Sequence, residues 1–295
     1  MNVLVIGSSG QVGSALFKQS KSTPWIKNVF GTYKAHLRPG LVHLDLQDPR
    51  SIHDAFEKTQ PQAVIHCSAL TAVDYCEDHP EEAHRINVLG TEQVLKACQK
   101  HGARLITLST DYVFDGKNGP YGEEDPCRPL SVYGRSKWEA EQRVLTDVGS
   151  LVIRSTVIYS YDLSSLNFLM QLIKNLSEKR PMQVPNDQVS NPTYAPNLAE
   201  VILRLINKRA CGIYHVVGPD WLNRYEFALQ AAEVLGLDKS LITPQKTSEL
   251  NQRALRPLEA GLKTDKVRAE LGCHLISVKE GVSLIREAWE RETSI

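Results

Sequence analysis

The sequence predicts an α/β protein built on a doubly wound, parallel β-sheet, and three features indicate this fold class. Short apolar runs rich in β-branched residues alternate with helical stretches through the first half of the chain. These runs are apolar at consecutive positions, which is typical of strands that are covered on both faces. The segment Gly7-Ser-Ser-Gly-Gln-Val-Gly13 directly follows the first run and opens the first helical stretch. This alternation predicts parallel strands joined by crossover helices.

The elements of the first half follow from these patterns in order. Strands are expected at Val3–Ile6, Val29–Tyr33, Leu41–Leu44, Ala63–Cys67, Leu105–Leu108 and Leu151–Ile153. Helices are expected over about 49–58, 80–100 and 131–148. Asp48 and Pro49 open the first of these helices, because a carboxylate caps free backbone N–H groups and proline fits the first turn.

The second half has a different pattern and predicts a smaller, mostly helical lobe. A helix over about 165–179 leads into a loop over 180–196 that is rich in proline and asparagine. A helix over about 197–207 and a strand at Ile213–Val217 then return to the main sheet, and the remainder is predicted to be helical. Capping boxes are expected at Asn223–Glu226 and at Ser277–Glu280.

The chain is therefore expected to form two lobes with a cleft between them. The sheet domain is predicted to comprise residues 1–159 plus about 193–218, and the smaller lobe about 160–192 plus 219–295. In a doubly wound sheet, ligands bind at the carboxyl ends of the strands, where such a cleft would open.

The composition excludes several classes of protein. Among the 295 residues, Lys+Arg and Asp+Glu both number 34, so the net charge is zero and binding to nucleic acid or an anionic membrane is disfavoured. No apolar run approaches the roughly 18 residues of a spanning helix, and the N-terminal segment is not typical of a signal peptide. Six scattered cysteines without a Cys-x-x-Cys pair favour free thiols in a cytoplasmic protein, with neither disulfides nor a metal site.

The glycine-rich segment predicts dinucleotide binding. Its spacing is G-x-x-G-x-x-G, and its position between the first strand and the first helix lets backbone N–H groups approach a pyrophosphate. An ordinary glycine-rich turn is the alternative interpretation. The predicted cofactor contacts in this segment are Gly7, Ser9, Gly10, Gln11, Val12 and Gly13.

The second strand predicts which nicotinamide cofactor is bound. It ends in Gly31-Thr-Tyr-Lys34, and no carboxylate precedes Asp45, whereas an NAD site usually places Asp or Glu there. Lys34 and Arg38 suit a ribose 2′-phosphate, which favours NADP(H) over NAD(H), unless both are simply solvated. Asp45 and Leu46 are expected to border the adenine. Further predicted cofactor contacts are Ser68, Ala69 and Ser109.

Three residues predict carbonyl reduction. Tyr133 and Lys137 lie four residues apart in a predicted helix, so they share one helical face, and Thr110 ends the fifth strand. The ammonium of Lys137 is expected to lower the pKa of Tyr133 towards the working range. Tyr133 then donates a proton to a carbonyl oxygen as hydride arrives at the carbon, and Thr110 holds that oxygen. Lys137 is also expected to bind the nicotinamide ribose. This chemistry requires no metal.

With these motifs, the chain resembles the extended short-chain dehydrogenases/reductases over nearly its whole length. Within them it is most similar to the dTDP-4-dehydrorhamnose reductases. The supporting segments are Ser109-Thr-Asp-Tyr-Val-Phe-Asp-Gly116, Ala69-Leu-Thr71-Ala-Val73-Asp74, Asn87-Val-Leu-Gly-Thr91, Asn186-Asp-Gln188, Pro192-Thr-Tyr194 and Arg256-Pro257. The resemblance implies a Rossmann-type domain and a substrate-binding lobe. It places Thr71, Val73, Tyr112, Asn167 and Arg256 near a sugar nucleotide. Two positions depart from the family pattern: Val157 replaces a tryptophan, and the glycine of D-Q-x-G is missing.

The resemblance implies an NADP(H)-dependent reductase of the 4-keto group of a deoxyhexose nucleotide, as in dTDP-L-rhamnose synthesis. A second reading comes from a different class, because the same motifs resemble the non-catalytic β subunit of methionine adenosyltransferase, a cofactor-binding regulatory protein. A related nucleotide-sugar epimerase is a third. The identity of the sugar stays open, and a homodimer is possible but has no support in the sequence.

Overall fold

A parallel seven-stranded sheet forms the centre of the protein in this computed structural model, which describes residues 1–35, 39–162, 165 and 167–293. In chain order the strands are β1 (Asn2–Ile6), β2 (Asn28–Tyr33), β3 (Val42–His43), β4 (Ala63–His66), β5 (Arg104–Thr110), β6 (Leu151–Ser155), β7 (Ile158–Tyr159), β8 (Met182–Pro185), β9 (Val189–Ser190), β10 (Thr193–Tyr194), β11 (Gly212–His215), β12 (Leu222–Asn223) and β13 (Ile242–Gln245). In the central sheet the strand order is β3-β2-β1-β4-β5-β6-β11. This order is doubly wound, and it confirms the predicted fold class.

Helices cover the sheet and build the rest of the molecule. In chain order they are α1 (Gln11–Ser20), α2 (Pro49–Thr59), α3 (Val73–Asp78), α4 (Pro80–Ala83), α5 (Gly90–His101), α6 (Val132–Val144), α7 (Phe168–Ser177), α8 (Ala195–Asn207), α9 (Arg224–Leu235), α10 (Asp265–Leu271) and α11 (Val278–Thr293). A π-helical segment, His84–Leu89, joins α4 to α5. Within the described residues, none of these helices has both the length and the hydropathy needed to cross a bilayer.

The core explains why the strands are apolar at consecutive positions. Val3 and Val5 of β1 pack on one face of the sheet with apolar residues of α1 and α8. Leu4 and Ile6 pack on the opposite face with residues of α2 and α5 such as Phe56. Since successive side chains of a strand point to opposite faces, both must be apolar when both faces are covered.

A second core lies outside the sheet. It contains the apolar faces of α7, α9 and α11, together with Val184 of β8 and Ile242 of β13. β8 and β13 form a parallel pair, in which Met182 opposes Ile242. This part is mostly helical, as predicted, but the sequence predicts a loop and helices where β8 and β13 lie, so these two strands were missed. Each of these strands is four residues long, contains a proline and pairs with a segment about sixty residues away, so no local pattern signals it.

The predicted capping signals are confirmed. Asn223 accepts a hydrogen bond from the backbone N–H of Glu226, whose carboxylate accepts one from the N–H of Asn223. The same reciprocal pair joins Ser277 and Glu280. Ser131 caps α6 by accepting a hydrogen bond from the N–H of Gly134 at 3.2 Å. These short polar patterns fix helix starts because they satisfy backbone donors that have no partner inside the helix.

Helix interruptions were not predicted. The sequence predicts one continuous helix over about 80–100, whereas α4, the π-helical segment and α5 follow one another there. The short helix α3 is absent from the predicted elements. A π-helical turn keeps the chain helical and leaves the apolar pattern nearly unbroken, so periodicity alone does not detect it.

Candidate active site

Three adjoining cavities form one cleft along the carboxyl ends of the sheet strands. Their volumes are about 360, 500 and 540 Å³. The first and second share Gln11, Thr71, Ser109, Tyr133 and Ile158. The second and third share Thr71, Val73, Tyr112, Phe168 and Arg224. A long ligand can therefore extend from the glycine-rich loop past Tyr133 to the second core.

The glycine-rich loop forms the wall of the first cavity. Gly7 has a φ of +82°, a conformation that favours glycine, and its carbonyl accepts a hydrogen bond from the N–H of Gly10 at 3.0 Å. A Cβ on Gly13 would lie 2.1 Å from the carbonyl oxygen of Gly7, so only glycine fits there. Helix α1 begins at Gln11 without a side-chain cap, which leaves its first N–H groups available to a ligand.

The structure brings most of the predicted cofactor residues to this first cavity. Its lining contains Gly7, Ser9, Gly10, Gln11, Val12, Gly13, Ser68, Ala69, Ser109, Tyr133 and Lys137. Two buried polar atoms here, Nε2 of Gln11 and the Ser109 hydroxyl, have no hydrogen-bond partner among the described residues. Buried polar groups in native proteins are normally paired, so these two atoms indicate a place for ligand atoms.

The predicted adenine end differs from expectation. Nζ of Lys34 lies 3.3 Å from Oδ1 of Asp45, so the surroundings of Lys34 are not free of carboxylates as the sequence suggested. The strand order explains this: β3 lies beside β2, so Asp45, shortly after the end of β3, lies near Lys34, which directly follows β2. Leu46 is buried in the core under Gly90 and does not line the cavity. Arg38 lies outside the described residues.

The three predicted catalytic residues meet between the first and second cavities. Tyr133 and Lys137 lie on α6, and Thr110 ends β5; all three side chains are buried. Tyr133 and Thr110 both line the second cavity, and the Thr110 hydroxyl is close enough to the Tyr133 phenol to act on its pKa in the lowering direction. The Thr110 hydroxyl also donates to Oδ1 of Asp111 at 3.1 Å and accepts from the N–H of Tyr112 at 3.2 Å. Tyr133 and Thr110 therefore present their hydroxyls to the same point in the cleft.

The electrostatics of Tyr133 differ from the prediction. Burial raises the pKa of the Tyr133 phenol well above its usual range, and the charges of Asp111 and Tyr112 raise it further. The expectation that Lys137 lowers this pKa is therefore wrong for this structure. Burial also lowers the pKa of Lys137 to about 8, and the charges that oppose this shift are those of Glu141 and Cys67. Tyr133 and Lys137 share one helical face, so the two side chains start side by side. Because the lysine side chain is long, the position of its ammonium relative to the phenol does not follow from this spacing.

Asp111 is a site residue that the sequence analysis missed. Its carboxyl is buried and lines the second cavity, and burial raises its pKa to about 6 against hydrogen bonds from Thr156 and Thr110. Asp111 begins a 3-10 turn, a common place for aspartate. It lies in the motif segment Ser109–Gly116, but no role was predicted for it. Only the structure shows that this carboxyl faces the cleft.

Asn87 is a second missed residue, and it acts as a positioning residue. It lies in the π-helical segment and is buried. Its side-chain oxygen accepts from the N–H of Leu70 at 2.8 Å, and its amide nitrogen donates to the hydroxyl of Ser136 at 2.9 Å. Asn87 thereby joins the loop that carries Thr71 to helix α6, which carries Tyr133. The predicted motif Asn87-Val-Leu-Gly-Thr91 contained this residue but gave it no role.

The predicted substrate residues line the second and third cavities. Thr71, Val73, Tyr112 and Asn167 line the second. Asn167 has a structural task as well, because its side-chain oxygen caps α7 by accepting from the N–H of Met170 at 3.1 Å. Val157, at the position of the family tryptophan, lines the same cavity with a φ of +44°, which is rare for a β-branched residue.

The third cavity contains two arginines. Nη2 of Arg256 lies 2.9 Å from Oδ1 of Asp74, whereas its buried Nη1 has no hydrogen-bond partner among the described residues. Arg224 lines both the second and the third cavity, and its guanidinium lies over the ring of Phe168, 5.4 Å from the centroid. Arg224 was missed because the sequence of its segment predicted only a capping box. The two cations make this end of the cleft suitable for an anion.

Comparison with known proteins finds relatives over nearly the whole chain. The model of the family described as RmlD substrate binding domain matches residues 1–290. Spore coat polysaccharide biosynthesis protein SpsK of Bacillus subtilis (strain 168) is 34% identical over 257 residues, which cover 86% of each chain. Methionine adenosyltransferase 2 subunit beta of Bos taurus is 30% identical over 275 residues, which cover 90% of this chain and 81% of the relative.

A solved structure resembles this protein over almost the whole length of both chains. The structure of dTDP-4-dehydrorhamnose reductase from Bacillus anthracis str. Ames in complex with NADP has a TM-score of 0.87 and 28% identity, covering 97% of this chain and 98% of that one. Together these matches confirm the resemblance that the motifs predicted.

Proposed function

The chain belongs to the family described as RmlD substrate binding domain, and from that premise we propose that it is an NADP(H)-dependent reductase. Its substrate is the 4-keto group of a deoxyhexose nucleotide, of the kind reduced in dTDP-L-rhamnose synthesis. The observation that carries the proposal is the position of Tyr133 and Thr110. Both side chains line the second cavity, at the point where it joins the first cavity with the glycine-rich loop.

The residues of the first cavity fit a nicotinamide dinucleotide. The uncapped start of α1 suits a pyrophosphate, and the unpaired buried atoms of Gln11 and Ser109 suit polar groups of the cofactor. Lys137 is buried in the same cavity, and we assign it to the ribose hydroxyls of the cofactor. When bound, the reduced nicotinamide supplies hydride to the carbonyl carbon of the substrate.

Tyr133 acts as the proton donor in this proposal. Because burial raises its pKa, the phenol holds its proton at neutral pH. The carbonyl oxygen gains negative charge as hydride adds to the carbon, and Tyr133 transfers its proton to that oxygen. The Thr110 hydroxyl has one proton, which it donates to Asp111 in the absence of substrate. When substrate binds, the hydroxyl rotates and donates this proton to the same oxygen, where it stabilises the developing charge. The alcohol product thus gains one hydride on carbon and one proton on oxygen.

The nucleotide part of the substrate occupies the third cavity. We assign the diphosphate to Arg224 and Arg256, because both line this cavity and Nη1 of Arg256 has no other described partner. Tyr112 and Phe168 provide aromatic surface beside them. We also propose the two-lobe division that the sequence predicts. The glycine loop lies in the sheet domain, and the third cavity lies against the smaller lobe.

The preference for NADP(H) rests on Lys34. A ribose 2′-phosphate carries more negative charge than the carboxylate of Asp45 and would compete for the exposed Lys34 ammonium. We expect Lys34→Ala to weaken binding of NADPH while binding of NADH is unchanged. Equal affinity of the unaltered protein for both cofactors would contradict the preference. The cytoplasmic location stays a prediction.

The reaction is tested directly with the purified protein, NADPH and dTDP-4-dehydrorhamnose. We expect NADPH absorbance to fall, and Tyr133→Phe to slow this by about 10²-fold or more while NADPH still binds. Tyr75→Phe is the matched control, because the Tyr75 ring is exposed and bonded to Glu82 away from the cleft. Absence of turnover, or equal rates for Tyr133→Phe and the unaltered protein, would contradict the proposal.

A second function is favoured by the 30% identity with methionine adenosyltransferase 2 subunit beta. In that case the chain is a non-catalytic partner that binds a dinucleotide in the same first cavity. Stable association with a purified methionine adenosyltransferase catalytic subunit, together with no NADPH oxidation, would favour this function over the reductase.

A further inference from the structure

Three side chains with metal-binding atoms converge on the surface formed by α2 and α5. His53 and Glu57 lie one turn apart on α2, and His101 is the last residue of α5. Oε1 of Glu57 lies 3.9 Å from Nδ1 of His53 and 3.7 Å from Nε2 of His101. The three ligand atoms all lie within 4.8 Å of one another.

This cluster is separate from the proposed active site. Helices α2 and α5 end just before strands β4 and β5 begin, so their carboxyl ends lie at the amino edge of the sheet. The cleft lies at the opposite edge, where the glycine loop, Thr110 and Tyr133 are placed. The chemistry proposed for the cleft does not use His53, Glu57 or His101.

Two of the three side chains are already held in place. The ring of His101 packs against that of Phe56, with centroids 5.4 Å apart, and its side chain is only 11% exposed. The second carboxylate oxygen of Glu57 accepts a hydrogen bond from Nε2 of Gln60 at 3.3 Å, which leaves the first oxygen facing the histidines. His53 is half exposed, so an ion can enter from solvent. Outer hydrogen bonds of this kind orient metal ligands.

We propose that His53, Glu57 and His101 bind a divalent transition-metal ion of the zinc type. Ligands about 2.1 Å from a tetrahedral metal lie roughly 3.4 Å apart. The two distances from Glu57 need to shrink by only a few tenths of an ångström. The distance between the two histidine nitrogens is at most 4.8 Å, and the half-exposed His53 side chain can turn to shorten it. Two imidazole nitrogens and one carboxylate suit zinc, cobalt or nickel, whereas magnesium and calcium prefer oxygen ligands alone. Water completes the coordination from the adjoining cavity of about 270 Å³, which His53 and His101 help to line.

Local charge limits the affinity of this site. Lys96 and Lys100 line the same cavity, and their positive charges oppose a dication. We therefore expect binding on the order of micromolar affinity, weaker than in structural zinc sites. The bound ion links α2 to α5 on one face of the sheet, so its main effect is on stability. The sequence predicts no metal site, because His53 and His101 are far apart in the chain and only the packing of the two helices brings them together.

The test uses the whole protein after treatment with a chelator. Zn²⁺ binding is measured by calorimetry, and thermal unfolding is measured with and without Zn²⁺. We expect one saturable site per chain and a Tm increase of roughly 4 °C at 100-fold excess over Kd. Glu57→Gln and His53→Gln change exposed side chains, so each should fold normally without metal, lower the affinity at least tenfold and remove the Tm increase.

His84→Gln is the matched control, because His84 also lies beside a carboxylate, Glu139, at 3.6 Å but has no third ligand among the residues that the structure describes. We expect it to bind Zn²⁺ as the unaltered protein does. The proposal is overturned if no saturable binding occurs, or if Glu57→Gln and His53→Gln bind with unchanged affinity, which would place any bound ion elsewhere. Since NADPH oxidation is not the readout, failure of this proposal is distinct from failure of the reductase proposal.

Discussion

The carboxyl of Asp111 is buried beside Thr110 and faces the cleft, and replacing it with an uncharged amide tests how strongly burial acts on it. Its pKa rises from the usual 3.8 to about 6 in the folded protein, chiefly because burial disfavours the charged form. In the unfolded chain the carboxyl ionises from about pH 4, whereas in the folded chain it keeps its proton until about pH 6. The free energy of unfolding therefore falls as pH rises through this interval.

The size of this effect follows from the two pKa values. Each tenfold difference in proton affinity corresponds to about 1.4 kcal/mol, so ionisation of Asp111 costs about 3 kcal/mol of stability in total. Between about pH 5 and about pH 7.5, about 1.4 kcal/mol of that loss occurs. Asp111→Asn cannot ionise. The difference in unfolding free energy between Asp111→Asn and the unaltered protein should therefore shift by about 1.4 kcal/mol in favour of the variant from the lower to the higher pH. Any hydrogen-bond energy that the variant loses is the same at both pH values and cancels in this comparison.

The measurement is urea unfolding of both proteins at the two pH values. Asp115→Asn is the matched control, because a hydrogen bond from Tyr121 lowers the pKa of Asp115 and so keeps its titration below this pH range. The difference between this control and the unaltered protein should be the same at both pH values. If Asp111→Asn behaves in the same way, the carboxyl of Asp111 does not have a raised pKa and the reasoning about its burial is refuted.

Two further predictions concern the glycine loop and the core. Gly13→Ala should abolish cofactor binding and lower stability by roughly 1–3 kcal/mol, because the new Cβ would lie 2.1 Å from the carbonyl oxygen of Gly7. Gly10→Ala is the control and should fold normally, because its Cβ would lie 3.4 Å from the same oxygen. Thermal unfolding and NADPH titration measure the two effects. Glu141→Gln breaks the buried pair in which both carboxylate oxygens accept from Arg154, at 2.9 and 2.7 Å, and should cost about 3–5 kcal/mol in urea unfolding; a loss below about 1 kcal/mol would contradict it.

The parts of the fold that were predicted correctly are those with a local signal. The strands of the sheet were recognised because residues such as Val3 to Ile6 are apolar on both faces. Helix starts at Ser131 and Asn223 followed from side chains that cap their own helix. Strands β8 and β13 were missed because each is completed only by a distant partner, and only their pairing satisfies their backbone groups.

The site divides in the same way. The spacing predicted that Gly7, Gly13, Tyr133 and Lys137 lie in one cleft, and they do, because their geometry depends on one turn or one helix. Thr110 was predicted from its place at the end of β5, where it lines the same cleft. Arg224 was not found, since its sequence neighbours predicted only a cap.

By itself, the sequence determined the strand–helix alternation, the glycine loop and the spacing of Tyr133 and Lys137, all of which depend on residues within one or two turns of each other. Only the tertiary structure decided where their charges act. It buried Tyr133 and thereby raised its pKa, placed Asp45 beside Lys34, and brought His101 to Glu57. The physical reason is that desolvation and Coulomb interactions depend on distances through space, and packing sets these distances between residues that are far apart in the chain.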